Sequence, residues 1–145
     1  MKGDKVIYRE LSYRVMQAVF EVHSTLGPGF LEGVYEDALS YELDLHDIPF
    51  ERQKTVTVSY KGRTVSTHRL DLVVGGKILL ELKAAVALTD VFRQQTLSYL
   101  KSTGLKLGIL ISFGTRRVNH VRAANWLSLI RDIRSFVIRT EGGET

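Results

Sequence analysis

Cysteine is absent from the 145-residue sequence, which excludes disulfides, thiolate metal sites and cysteine nucleophiles. Proline is scarce: Pro28 and Pro49 are the only two, and each stands where an apolar pattern breaks. No apolar stretch approaches the roughly 18 residues that a membrane span needs, and the opening MKGDKVIYRE lacks the apolar core of a signal peptide. The expectation is therefore a cytoplasmic protein with no membrane partner. What is present is ordinary for a globular chain. With 44% hydrophobic and 25% charged residues, disorder is excluded and one domain over residues 1–145 can bury a core.

Positive charge is unevenly spread. Residues 101–145 carry Lys101, Lys106, Arg116, Arg117, Arg122, Arg131, Arg134 and Arg139 against Asp132, Glu141 and Glu144, a net +5 out of the chain's +4. The first hundred residues thus sum to −1. A basic C-terminal third suits a polyanionic partner, although such charges often do no more than solvate a surface.

Apolar spacing sets out the elements. Leu11, Val15, Ala18, Val22 and Leu26 recur at helical intervals from about Glu10, and Gly27-Pro28-Gly29 stops that helix. A second helix is predicted from about Leu31 to His46, with Tyr35, Leu39 and Leu43 on its apolar stripe. Its other face holds Glu36, Asp37, Glu42 and Asp44, with no Lys or Arg between Glu32 and Glu51. That face would repel a polyanion and is expected outside, away from any substrate. Val56, Val58 and Tyr60 alternate as a strand, and Lys61-Gly62-Arg63 turns the chain into a strand from about Thr64 to Val74. Its partner follows at Lys77–Lys83, then a helix from Thr89-Asp90 to Thr103 closed by Gly104, then the apolar strand Leu105–Phe113. Beyond it, Asn119–Arg131 is open to a helical reading, and Phe136 and Ile138 suggest a short last strand. A strand-helix-strand crossover after a hairpin implies an α/β sandwich, a mixed sheet flanked by helices.

Within the hairpin Arg69–Ala84, three charges interrupt apolar runs: Asp71, Glu81 and Lys83. Buried charges are costly unless paired or bound to a metal. Glu81 and Lys83 lie two apart and share a face, with Ile78, Leu80 and Leu82 turned the other way. Asp71 joins them only if the loop at Gly75-Gly76 has an odd number of residues, such as three, or if a bulge has the same effect. Two carboxylates and a lysine would suit Mg²⁺ or Mn²⁺ and the activation of water. Exposed charges on a half-solvated hairpin would read the same way. Gln95 and Tyr99 share a helix face four residues apart, either as a surface pair or reaching the same site. Glu32 falls in a first helical turn, where the helix dipole favours a carboxylate whether or not it binds anything. His46, His68 and His120 have no metal-ligand spacing, His23 and Trp126 read as packing residues, and Gly75-Gly76 is a turn rather than a phosphate loop.

Gly29–Tyr35, GFLEGVY, fits the signature Gly-x-x-Glu-x-x-Tyr. With the surrounding LGPGFLEGVYEDAL, the strand RLDLVV, the strand LLELKA and the segment QQTLSYLKSTGLKLGILISFG, all in order, the chain resembles the GxxExxY proteins, a RecB-like branch of the PD-(D/E)XK nuclease superfamily. The resemblance runs over roughly residues 7–114. It implies a restriction-endonuclease-like fold with Asp71 and Glu81 as metal ligands, the Leu82 carbonyl as a third, and Glu32 completing the set. It further implies Lys83 as the catalytic lysine and Gln95 and Tyr99 as a Gln-x-x-x-Tyr element. The implied activity is Mg²⁺- or Mn²⁺-dependent hydrolysis of phosphodiesters, in DNA rather than RNA. A non-catalytic nucleic-acid-binding or adaptor domain is the rival, and a homodimer would enlarge a small grip on substrate. Arg116 and Arg117 are the candidate nucleic-acid contacts.

Overall fold

The structure, a computed structural model, describes residues 7–125. The expected Phe136–Ile138 strand and Trp126 lie outside the described residues. Helix α1 (Arg9–Leu26) ends at Gly27, whose φ of 70° lets its N–H reach the His23 carbonyl at 2.7 Å. Helix α2 (Glu32–Leu45) follows, then the hairpin of β1 (Phe50–Tyr60) and β2 (Arg63–Val74), turned by Lys61-Gly62. Strand β3 (Ile78–Lys83), helix α3 (Asp90–Thr103), β4 (Leu107–Ser112) and β5 (Asn119–Ala124) complete the order.

One mixed sheet runs β1-β2-β3-β4-β5. Among the described residues only β3 and β4 are parallel, joined by the crossover through α3, and the other neighbours are antiparallel. The sheet is buried on both sides. Ile78, Leu80, Leu82, Ile109 and Ile111 meet Val15, Val19, Tyr35 and Leu39 of α1 and α2, whereas Leu79 and Val73 meet Tyr99 and Leu100 of α3. Each fully buried Leu or Ile stabilises by about 1.5–3 kcal/mol. This double burial explains the near-continuous apolar run of β3 and isolates its two charges.

Two differences from the sequence reading have physical causes. Asn119–Ala124 is a strand, not a helix, because it pairs with the otherwise free edge of β4 from Leu107 to Ser112. Strand β1 begins at Phe50, six residues before the alternating Val56, because Glu51–Thr55 form an exposed edge strand whose polar side chains face water.

The β1–β2 hairpin also changes the face it buries. Phe50, Leu72 and Val74 pack toward α1 and α2, but Val56 and Leu70, an even number of residues along the same strands, pack toward α3. The change falls where the pairing passes over two residues: Arg52 pairs with Leu72 and Lys54 with Leu70, leaving Gln53 beside Asp71. Gln53 has φ 52°, left-handed and costly for a residue with a Cβ. The kink therefore sits against Asp71.

Candidate active site where β2 and β3 part

The loop between β2 and β3 has three residues, Gly75-Gly76-Lys77, since Val74 pairs with Ile78 and Leu72 with Leu80. Both glycines are left-handed, with φ 60° and 66°, so the odd loop closes without Cβ strain. Its parity carries Asp71 to the face of Glu81. The β2–β3 pairing stops at Leu72–Leu80, while β3 continues along β4 to Lys83–Ser112. Where the strands separate, Leu82 N–H donates to Asp71 Oδ2 at 2.8 Å and Asp71 N–H donates to Glu81 Oε1 at 3.4 Å.

The electrostatics follow from that crowding. Glu81 is 6% exposed, and burial pushes its carboxyl up to about 8, with the Asp71 charge acting in the same direction. The Asp71 N–H and Lys83 oppose the shift without cancelling it. Burial also raises Asp71 above the ordinary carboxylate range, against the Leu82 N–H, with Glu36 and Glu32 adding to the rise. Two carboxylates held this closely both ionise readily only when a cation joins them. Oxygen donors of this kind fit a hard divalent ion. Among the described residues, no group of three His, Asp or Glu side chains surrounds one metal position.

Lys83 reaches the same region from the end of β3, its Nζ 4.8 Å from the centre of the Phe92 ring. Its backbone is fixed from β4: Phe113 N–H donates to the Lys83 carbonyl at 2.9 Å, and the Ser112 hydroxyl donates to the Ala85 carbonyl. Gly114 passes so close that a Cβ there would collide with the Ala85 carbonyl. Tyr99, 8% exposed on α3, lies under the pair, and burial followed by the Glu81 and Asp71 charges raises its hydroxyl's pKa. Gln95, exposed one turn earlier on the same helix, acts on that hydroxyl in the opposite direction and lowers its pKa.

Glu32 comes from the other layer. It is exposed in the first turn of α2, where it lines one cleft with Gly33, Glu36, Gln53, Asp71 and Leu82 and another with Lys83 and Phe92. The Tyr of GFLEGVY explains how this turn is held. The Tyr35 hydroxyl donates to the Gly27 carbonyl at 2.7 Å and accepts from Phe30 N–H at 3.2 Å, and its ring stacks on Phe113 at 4.5 Å. Tyr35 thus pins the Gly27–Phe30 segment that leads into Glu32.

Residues 9–123 match the family model of the PD-(D/E)XK nuclease superfamily. The chain belongs to the PD-(D/E)XK nuclease superfamily. A solved structure titled "Crystal structure of SSO0001" is similar with a TM-score of 0.53 and 17% identity, over 64% of this chain and 50% of that one. The likeness is one of fold, and this chain spans half of that one. No curated protein matches.

This PD-(D/E)XK domain holds two residues near the site that pattern reading missed. Glu36 was expected on the outside with the rest of the acidic face of α2. Instead its side chain is 13% exposed, accepting from Gln53 Nε2 at 2.6 Å and from Arg52 at 2.7 Å. It reaches inward because the kinked β1 supplies partners; only its spacing four residues after Glu32 hinted at a shared face. Gln53 itself carried no signal. Arg116 and Arg117 are exposed in the bend between β4 and β5. His23 stays apart, buried with Nε2 2.9 Å from the Thr115 carbonyl. Among the described residues, no helix is long and apolar enough to cross a membrane.

Proposed function

We propose that the protein is a Mg²⁺- or Mn²⁺-dependent nuclease of the GxxExxY branch, hydrolysing phosphodiester bonds in DNA. The observation that carries this reading is the half-buried Asp71 beside the buried Glu81 at the strand parting, with Lys83 two residues on. Asp71 and Glu81 would hold the cation, with the Leu82 carbonyl and Glu32 as further oxygen donors. The bound cation supplies a water of lowered pKa and neutralises charge developing on phosphate oxygens.

The chain's own groups do the rest. Lys83 directs its ammonium at the attacking water or at the phosphate oxygens as they gain charge. The Leu82 N–H keeps the Asp71 carboxylate turned into the site. Tyr99 closes the floor within the electrostatic reach of Glu81 and Asp71, with Gln95 beside it on α3. Membership of a nuclease superfamily supports the reaction class.

The test is a panel of single-stranded, double-stranded and branched DNA and RNA, incubated with the protein in Mg²⁺, Mn²⁺ or EDTA. The expected result is products from DNA with either metal and none in EDTA. Binding without turnover at every metal concentration would establish the non-catalytic adaptor reading instead.

A further inference from the structure

The outer β1–β2 hairpin is a two-stranded ribbon. Strand β3 pairs only with Leu72–Val74 of β2, so among the described residues Arg63–Asp71 have a neighbouring strand on one side only. Between Glu51 and Asp71 the sequence contains no acidic residue, yet it carries Arg52, Lys54, Lys61, Arg63 and Arg69. Arg52 is bound to Glu36 and Asp37, and Lys54 lies 3.8 Å from Glu51. Among the described residues, no carboxylate pairs with Lys61, Arg63 or Arg69, which are all exposed.

A groove of about 520 Å³ separates this ribbon from α3, lined by Thr57, Val58, Ser59, Ser98, Lys101 and Ser102. Four hydroxyls and one ammonium face it, without a carboxylate. After Asp90 at the start of α3, the described residues carry no further acid, so the helix turns that line the groove bring no negative charge. The α1–α2 layer is the reverse: from Arg9 to Asp47 eight acids stand against Arg9 and Arg14. Charge is sorted by layer, and the site's Asp71 lies at the base of the cationic ribbon.

We propose that the outer β1–β2 ribbon, with the Lys101 groove beside it, is the nucleic-acid-binding surface, gripping the phosphodiester backbone and leading it to Asp71. A two-stranded ribbon is narrow enough to enter a groove of a duplex. Hydroxyls and ammonium groups are donors suited to phosphate oxygens, which fix position without reading sequence. Tyr60, 63% exposed at the tip, offers a face for stacking. The proposal rests on the nuclease reading for what happens at Asp71, not for binding.

The experiment measures anisotropy of fluorescein-labelled single- and double-stranded DNA and RNA 20-mers with the full-length protein in EDTA, across a salt series. Variants are Lys61→Ser, the triple Lys61→Ser/Arg63→Ser/Arg69→Ser, and Lys77→Ser at the far β2–β3 loop as a charge-matched control. The expected result is affinity about tenfold or more lower for the triple, with the duplex-DNA salt slope reduced by about 2–3. Lys61→Ser should weaken binding more than Lys77→Ser, with equal melting temperatures; the DNA and RNA arms show which backbone is preferred. Wild-type affinity and slope in the triple, equal effects of the two single variants, or no wild-type binding would overturn the proposal. So would a change confined to the oligomeric mass by light scattering, which marks a contact between copies. Parallel tubes with Mn²⁺ separate the two readings: ribbon-dependent binding without cleavage removes the nuclease alone, and cleavage indifferent to the triple removes the ribbon alone.

Discussion

Asp71 and Glu81 each accept a backbone N–H at the point where β2 leaves β3: Leu82 donates to Asp71 at 2.8 Å, and Asp71 itself donates to Glu81 at 3.4 Å. The carboxylates are thereby fixed by the strand parting itself. Such a pair is preorganised for a cation and unfavourable without one.

Folding stability without metal should consequently depend on pH. Burial and Asp71 raise Glu81 from an ordinary 4.5 to about 8. The native state then binds the proton more tightly than the unfolded chain, so stability from this group is greatest below pH 4.5 and is lost as pH rises toward 8. Thermal melts in EDTA should show this decline, and Mn²⁺ should raise the melting temperature more at pH 8 than at pH 5.5. An equal metal effect at both would contradict the coupling.

Glu81→Gln removes the group that titrates. Without metal the variant should melt with the wild type near pH 5 and above it near pH 9, where the wild type carries both charges. Calorimetric titration should find Mn²⁺ binding lost. Retained wild-type affinity would remove Glu81 from the metal site.

Tyr35→Phe deletes two hydrogen bonds at the entrance to α2 while keeping the stack on Phe113. The expected cost is about 1–2 kcal/mol in denaturant unfolding, with cleavage reduced through a displaced Glu32. A stability loss with unchanged cleavage would confine Tyr35 to the fold.

At Gln53, strain and side chain are separable. Gln53→Ala keeps the left-handed φ of 52° and loses the bond to Glu36 at 2.6 Å, so it should destabilise by about 1 kcal/mol. Gln53→Gly loses the same bond but relieves the strain, worth about 1 kcal/mol, and should be nearly neutral. Equal losses in the two variants would mean the kink is absent in solution.

The sandwich was legible because buried strands and amphipathic helices write their periods openly, and Gly75-Gly76 marked a turn able to carry an odd loop. Asp71, Glu81 and Lys83 stood out because charges in a doubly buried sheet are rare. Strand β5 was illegible because its conformation comes from the β4 edge, and its residues alone have no strong preference. The kink at Gln53 was hidden for a related reason. Glutamine has no bias toward positive φ, and the clamp from Glu36 on α2 is a contact between layers that spacing along one element does not reveal.

The most direct measurement compares wild type, Asp71→Asn and Lys83→Ala for cleavage of end-labelled DNA in Mn²⁺ and in EDTA, with melting temperatures taken on the same samples. Wild type should cleave only with metal, and both variants should stay folded and fall by about 100-fold or more. Metal-dependent cleavage at the wild-type rate by either folded variant would contradict the assignment of the site.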